Sequence, residues 1–132
     1  MIGSGPVGVF FAIILKREGF DVEVYEKRKD PTKPENKEKG RSINLTLGER
    51  ALAALDKIGL KEKVYQHGTK LHGRAIHELG KDVAFHNYGL PEQHTLCISR
   101  PGINELLINV ARDDYKIPIH FEYELEDINH DE

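Results

Sequence analysis

Cysteine and tryptophan are scarce in this sequence, and the scarcity of cysteine restricts the class of protein. The 132 residues contain one cysteine and no tryptophan. Because Cys97 has no second cysteine to pair with, an internal disulfide is excluded and a reducing compartment is compatible with the chain. We expect Cys97 to be a buried strand residue. The sequence also lacks a P-loop and a Gly-x-Ser-x-Gly nucleophile turn, so the chemistries that depend on them are not expected.

Long hydrophobic runs and a strong excess of charge of one sign are also missing. The longest apolar run near the start, Val7–Leu15, is shorter than the ~20 residues of a bilayer-spanning helix, and no basic residues of a signal peptide precede it. We therefore predict no membrane segment in this chain. A net charge of −3, with 39% hydrophobic and 31% charged residues, is typical of a soluble α/β domain and suggests neither nucleic acid nor an anionic membrane surface as a partner.

The first motif is a glycine-rich turn that leads into a helix. Gly3, Gly5 and Gly8 have the Gly-x-Gly-x-x-Gly spacing of a dinucleotide site, in which glycines allow a tight turn, close approach to a pyrophosphate and close helix packing. An apolar helix over 9–17 and a strand over 21–26 follow, separated by Gly19. An ordinary glycine-rich turn would explain the spacing alone, but Glu26 ends the strand where an acid that binds ribose hydroxyls is expected. These residues together predict a dinucleotide fold that disfavours a 2′-phosphate and leave FAD or NAD open.

The rest of the chain predicts a mixed α/β domain. An exposed, charged loop over 27–39 precedes a second helix, whose apolar positions are Leu47, Ala51, Leu52, Leu55 and Ile58. Further predicted elements are a helical turn over 61–66, an antiparallel hairpin with strands over 71–79 and 82–88 around Gly80-Lys81, a strand over 95–99, a helix over 101–112 and a strand over 117–125. The hairpin does not fit a simple parallel sheet.

Three further segments carry a resemblance to a known family. They are Val-Tyr-Glu-Lys-Arg at 24–28, Gly-Arg-Ser-Ile-Asn-Leu at 40–45 and Ser-Arg-Pro-Gly-Ile-Asn-Glu-Leu-Leu at 99–107. The sequence resembles the kynurenine 3-monooxygenases, a family of FAD-dependent aromatic hydroxylases, over nearly its whole length. The second segment is the most family-specific, whereas the third is shared by aromatic hydroxylases generally. The resemblance implies an incomplete Rossmann-like FAD-binding β-α-β fold over 1–132, with an inserted hairpin that contributes residues 71–95 to a substrate-binding sheet.

The resemblance also implies which residues contact FAD. Besides the glycines and Glu26, the implied cofactor-binding residues are Val7, Tyr25, Lys27, Arg28, Thr46, Arg100 and Leu125. Thr46 departs from the alanine more usual at its position, which is a small change in a wall of the site. Arg100 could instead be a surface or capping arginine, but an arginine at a helix start can also bond a phosphate or ribitol oxygen.

The family further implies a substrate site on the hairpin. Arg74 on its first strand and Tyr88 on its second are the residues implied to hold the carboxylate of an amino-acid substrate. A planar guanidinium can bind a carboxylate in bidentate fashion, and a phenol adds a donor. The implied reaction is the NADPH- and oxygen-dependent conversion of L-kynurenine to 3-hydroxykynurenine, in tryptophan breakdown toward NAD. No residue is expected to act as a catalytic acid or base.

The seven histidines do not predict a metal site. His72 and His77 are an odd number of residues apart, so on a strand they would point to opposite faces. The other histidines show no ligand spacing. Ser4 and Ser99 have no evident base that would make either a nucleophile.

Two alternatives remain open on the sequence alone: another FAD-dependent phenol or aromatic hydroxylase, and a non-catalytic truncated product. An NAD-dependent dehydrogenase would need nicotinamide contacts that the sequence does not show. We expect the chain to be an N-terminal fragment that is inactive alone and binds FAD weakly or not at all. The resemblance implies a location on the mitochondrial outer membrane facing the cytosol for a eukaryotic full-length enzyme, and in the cytoplasm otherwise.

Overall fold

The structure, a computed structural model, describes residues 1–37 and 43–129. The helices are α1 (Pro6–Arg17), α2 (Glu49–Lys57), α3 (Lys61–His67) and α4 (Arg100–Asn109). The strands are β1 (Val24–Glu26), β2 (Asn44–Leu47), β3 (Thr69–Leu71), β4 (Gly73–Ile76), β5 (Ala84–Asn87), β6 (Thr95–Ser99) and β7 (Ile119–Phe121). None of the helices in the described part is long and apolar enough to cross a membrane.

The chain divides into two compact units. Residues 1–42 and 101–132 form the first unit, and residues 43–100, inserted between those two segments, form the second. The first unit therefore depends on contacts between distant parts of the sequence, whereas the second is continuous.

Parallel pairing organises the first unit. β1 pairs in parallel with β7, with Val24 opposite Ile119. On the other side of β1, the Tyr25 N–H donates to the Met1 carbonyl at 2.9 Å and the Gly3 N–H donates to the Tyr25 carbonyl at 2.7 Å. Residues 1–3 thus run beside β1, joined to it by an isolated parallel bridge between Ile2 and Tyr25. This is the β-α-β arrangement predicted from the glycines, the helix and the acid.

Buried apolar side chains of α1, α4 and β1 form the core of the first unit. α1 begins at Pro6, whose fixed φ and missing N–H suit a first helical position. It ends where Gly19 adopts φ +90°. Its buried positions are Val9, Ala12 and Ile13. From α4 and the turn after it come Ile103, Leu107, Ile108, Val110 and Ala111, and Val24 adds the strand face.

The second unit contains two small antiparallel sheets. β6 lies between β2 and β3 in a three-stranded sheet, and β4 and β5 form a separate hairpin. The core beside the three-stranded sheet consists of Leu47, Leu52, Leu55, Ile58, Leu60, Val64, Leu96 and Ile98. Of the apolar positions predicted for the second helix, Leu52, Leu55 and Ile58 are buried and Ala51 is half-buried, whereas Leu47 belongs to β2 because the helix begins only at Glu49. Cys97 lies in β6 as expected, but it is only half-buried.

Several element ends differ from the predictions. The strand predicted over 117–125 is limited to Ile119–Phe121, since Glu122 adopts φ +65° and ends the extended backbone. The helix predicted to Arg112 is α-helical only to Asn109 and then widens into a π-helical turn, Val110–Asp114. The strand predicted over 21–26 is paired only at Val24–Glu26.

The hairpin strands are also shorter than predicted. The prediction that Gly80 and Lys81 are the two central residues of the turn is wrong. The turn spans residues 78–81, and the Lys81 N–H donates to the Glu78 carbonyl at 3.2 Å. Gly80 occupies the third position with φ +75°, where glycine is favoured. The antiparallel pairing itself is confirmed, with Arg74 opposite His86.

Candidate functional site

Two positions of the glycine turn at the start of α1 require glycine. Gly3 adopts φ +91°, a conformation that other residues rarely take. A Cβ at Gly8 would lie 2.3 Å from the Gly3 carbonyl oxygen, so the helix approaches the strand end more closely than any side chain allows. Gly5 is different, since a Cβ there would meet nothing within 4 Å. Gly3 and Gly8 therefore serve the turn itself, and Gly5 leaves an open surface.

The N-terminus of α1 offers backbone donors beside that open surface. Gly5 is the N-cap residue, and no side chain caps the helix. The first N–H groups of a helix lack partners inside it, and the helix dipole makes this end favourable for an anion. Val7 in the first turn is 82% exposed. The backbone of this turn, with its open surface at Gly5, fits the pyrophosphate of a dinucleotide.

Glu26 ends β1 and is almost completely buried. Its Oε2 accepts hydrogen bonds from the Ser4 N–H at 2.8 Å and from the Ser4 hydroxyl at 3.2 Å. Its Oε1 accepts one from the Arg28 N–H at 3.0 Å. Burial raises the pKa of the Glu26 carboxyl, but these hydrogen bonds outweigh it and lower the pKa below its ordinary value. The carboxylate is thus held ionised and fixed beside the glycine turn.

Ser4 also belongs to the candidate site, although the sequence pattern does not identify it. Its side chain is 3% exposed and both of its donors bond to Glu26. A small hydroxyl residue between the first two glycines of the motif was the signal available. Its contact with Glu26 joins residues 22 positions apart, which the local pattern does not reveal.

The residues after Glu26 are held by the segment that follows β7. The Glu122 N–H donates to the Arg28 carbonyl at 3.1 Å and the Tyr123 N–H donates to the Glu26 carbonyl at 3.0 Å. Lys27 forms an ion pair with Glu124 at 3.0 Å, with both side chains exposed. Leu125, two residues beyond Tyr123, is 46% exposed. The first unit thus contains Lys27, Arg28 and Leu125 together with the glycines.

Tyr25 lies on the opposite strand face from Glu26, in an aromatic cluster. Its ring stacks on that of His120 with 4.7 Å between centroids, and Tyr123 meets both rings edge-on. The Tyr25 hydroxyl donates to the Glu23 carboxylate at 2.6 Å. The hydrogen bond to Glu23 raises the pKa of the Tyr25 hydroxyl and lowers that of the Glu23 carboxyl. The cluster fixes the Tyr25 ring against β7.

Thr46 and Arg100 belong to the second unit, in which both are exposed. Thr46 is paired with Cys97 in the β2–β6 ladder. The Arg100 N–H donates to the Ile43 carbonyl at 2.8 Å, which leaves its guanidinium outside this backbone contact. That these two residues line FAD stays a prediction. Of the Gly-Arg-Ser-Ile-Asn-Leu segment, residues 40–42 lie outside the described part of the chain.

Arg74 and Tyr88 lie on one face of the hairpin. Arg74 is paired with His86, and the Tyr88 N–H donates to the His72 carbonyl at 2.8 Å. Cross-strand partners and residues two apart on a strand point to the same face. Arg74 and Tyr88 are therefore diagonal neighbours on this face, and both are exposed.

A second cluster in the same unit was not anticipated. The His94 Nε2 lies 3.2 Å from the Tyr65 hydroxyl, and the His72 and His94 rings are 5.7 Å apart. Lys70 lies over the Tyr65 ring at 5.5 Å. Within residues 1–37 and 43–129, no three histidine, cysteine or acidic side chains are grouped closely enough to hold a metal ion.

Comparison with known proteins is consistent with this geometry. The family described as FAD binding domain matches residues 1–132. The chain is 37% identical over 130 residues to a kynurenine 3-monooxygenase of Caenorhabditis elegans, covering 98% of this chain and 28% of that protein. It is 41% identical over 124 residues to a kynurenine 3-monooxygenase of Cytophaga hutchinsonii, covering 92% of this chain and 27% of that protein. The chain thus spans little more than a quarter of the length of these relatives.

A solved structure shows the same fold. The chain is similar to a p-nitrophenol 4-monooxygenase from Pseudomonas putida, with a TM-score of 0.79 and 20% identity. The similarity covers 98% of this chain and 33% of the other. The predicted α/β fold is therefore confirmed.

Proposed function

This chain belongs to the family of FAD binding domains, and from this premise we propose that it is the FAD-binding part of a monooxygenase that hydroxylates L-kynurenine to 3-hydroxykynurenine. One observation carries the proposal: the identity of 37% and 41% with kynurenine 3-monooxygenases extends over 98% and 92% of this chain. The activity is proposed for the protein as a whole, with NADPH and molecular oxygen as co-substrates.

The residues of the first unit fit the adenosine and pyrophosphate parts of FAD. The open surface at Gly5 and the N–H groups at the start of α1 would hold the pyrophosphate. The carboxylate of Glu26, fixed by Ser4 and Arg28, would accept hydrogen bonds from ribose hydroxyls. Val7, Tyr25, Lys27, Arg28 and Leu125 are the further positions proposed around this part of the cofactor. Thr46 and Arg100 are also proposed as FAD contacts.

FAD, when bound, supplies the redox chemistry: electrons from NADPH reduce one atom of O2 to water, while the other atom is transferred to the aromatic ring of the substrate. The described residues contribute binding and orientation. None is proposed to move a proton in the reaction.

Arg74 and Tyr88 are proposed to bind the substrate carboxylate. Their position as diagonal neighbours on one exposed face supports this role, because one carboxylate can accept from both a guanidinium and a phenol. A carboxylate held on the hairpin would fix one end of the substrate.

The test is NADPH consumption by the full-length protein that carries this sequence, with and without L-kynurenine. We expect L-kynurenine to accelerate NADPH oxidation and 3-hydroxykynurenine to accumulate. Arg74→Ala and Tyr88→Phe are expected to raise the KM for L-kynurenine, by about tenfold or more for Arg74→Ala. Lys81→Ala, in the exposed turn of the same hairpin, is the matched control and is expected to change neither constant.

The results separate the rival functions. If a phenol but not L-kynurenine accelerates NADPH oxidation, the protein is a flavin-dependent hydroxylase with a different substrate. A full-length protein that binds no flavin would exclude the monooxygenase function itself and leave a non-catalytic role.

A further inference from the structure

The β4–β5 hairpin carries its hydrogen-bonding side chains mainly on one face. The pairing of Arg74 with His86 and the hydrogen bond from the Tyr88 N–H to the His72 carbonyl place these four side chains on the same face. The opposite face carries Gly73, Ala75, Phe85 and Asn87. A Cβ on Gly73 would lie 2.8 Å from the Phe85 ring, so that ring covers the backbone there.

His86 lies between the two residues proposed to hold the substrate carboxylate. It is directly opposite Arg74, at a separation of roughly 5 Å between Cβ atoms in such pairs. It also precedes Tyr88 by two residues on its own strand, a rise of roughly 7 Å. An anion that contacts both Arg74 and Tyr88 would therefore lie close to the strand position of His86.

The charge of the strands favours an anion at this position. β4 is Gly-Arg-Ala-Ile and β5 is Ala-Phe-His-Asn, so neither strand contains an acid that would compete for Arg74. Arg74 and Ala75 of β4 are exposed, and so is every residue of β5. The acids of the connecting turn include Glu78, which pairs with Lys81.

His72 is less suited to this role although it lies on the same face. Its ring is 5.7 Å from that of His94, which in turn lies within hydrogen-bond distance of Tyr65. His72 lies opposite Tyr88 on the neighbouring strand, and its ring belongs to the other cluster of this unit.

We propose that His86 is a third binding residue for the substrate carboxylate, donating an imidazole N–H beside the guanidinium of Arg74 and the phenol of Tyr88. This inference rests on the proposed function. A carboxylate can accept about four hydrogen bonds, so a bidentate arginine leaves acceptor sites for a phenol and an imidazole. His86 thereby selects substrates that carry a carboxylate at this end.

The test compares two ligands that differ only in that group. L-Kynurenine and kynuramine, its decarboxylated analogue, are titrated calorimetrically into the full-length FAD-loaded protein. His86→Ala is expected to weaken L-kynurenine binding by about tenfold, as for a lost hydrogen bond to a charged group, and to leave kynuramine binding unchanged. His86→Gln keeps an N–H donor and is expected to lose less affinity. Asn87→Ala, on the opposite face of the same strand, is the matched control and is expected to change neither Kd.

The outcomes distinguish this inference from the proposed function. Equal weakening of both ligands by His86→Ala would assign the residue a structural role and overturn the inference. If His86→Ala weakens neither ligand while Arg74→Ala weakens L-kynurenine binding but not kynuramine binding, the inference is overturned and the proposed function stands. A wild-type protein that does not bind L-kynurenine would overturn both.

Discussion

The backbone N–H of Ser4 donates a 2.8 Å hydrogen bond to the carboxylate of Glu26. The acid proposed to bind ribose therefore also holds the glycine turn proposed to bind pyrophosphate. Because one side chain serves both parts, a change at Glu26 should affect the stability of the apoprotein as well as cofactor affinity.

Glu26→Ala is expected to lower the free energy of unfolding by about 2 kcal/mol, because the buried Ser4 N–H loses its acceptor. Glu26→Gln keeps one acceptor oxygen and should cost less. Urea denaturation without FAD measures the effect. Fluorescence titration of the full-length protein should show weaker FAD binding for both variants. Unchanged stability of Glu26→Ala would contradict a structural role for this carboxylate.

Acid should destabilise the first unit through Glu26 and Asp30. Burial raises the pKa of each carboxyl, but hydrogen bonds to each carboxylate outweigh it. The pKa values are therefore lowered below their ordinary values, 4.5 for Glu26 and 3.8 for Asp30, and the nearby Arg112 contributes to the lowering at Asp30. The folded state therefore binds these protons more weakly than the unfolded state, so the stabilisation is complete above the ordinary values and is lost as pH falls through the lowered ones. Stability measured from pH 7 to 3 should decline less steeply below pH ~5 in Glu26→Gln and Asp30→Asn. Slopes identical to the wild type in both variants would refute this.

Two glycine substitutions should separate folding from cofactor binding. Gly8→Ala would place a Cβ 2.3 Å from the Gly3 carbonyl oxygen, and we expect a loss of about 3 kcal/mol in unfolding free energy. Gly5→Ala meets nothing within 4 Å and should leave thermal stability nearly unchanged. Its methyl would instead obstruct the approach of the pyrophosphate, and FAD affinity in the full-length protein should fall by about tenfold. A larger loss of thermal stability in Gly5→Ala than in Gly8→Ala would contradict the close contact between Gly8 and the Gly3 carbonyl.

Arg112 should contribute more to stability than an exposed cation. It donates to Asp30, almost completely buried, at 3.2 Å and to Asn109 at 2.9 Å. Arg112→Ala is expected to lower the free energy of unfolding by about 1–2 kcal/mol. Glu124→Gln, which breaks the exposed pair with Lys27, is the comparison and should change it by less than about 0.5 kcal/mol. Equal effects in urea denaturation would mean that the Asp30 contact adds nothing.

The sequence predicts the parts of the site that depend on local pattern. Gly3, Gly8 and Glu26 are identified by spacing, because tight turns and strand ends require particular residue types there. The contact of Ser4 with Glu26 and the stacking of Tyr25 on His120 join distant positions, so spacing does not reveal them.

Register is the other property that local pattern leaves open. Glycine marks the hairpin turn correctly, but the turn at 78–81 rather than at Gly80-Lys81 determines which residue faces Arg74. A shift of one residue would move His86 away from that position and put Tyr88 on the other face. The early end of the last strand likewise depends on the left-handed conformation of Glu122. The sequence does not predict this conformation, because residues other than glycine rarely adopt it.

The pairing of Val24 with Ile119 also has a consequence for synthesis on the ribosome. At roughly 5–20 residues per second, about 5 to 20 s pass between the emergence of these two strands. Residues 43–100 are complete in that interval and can fold first, whereas the apolar face of α1 waits for the segment from 101 onward. The glycine turn is therefore a late-maturing part of the first unit, because its helix acquires its packing partners only after residues 43–100 have been translated.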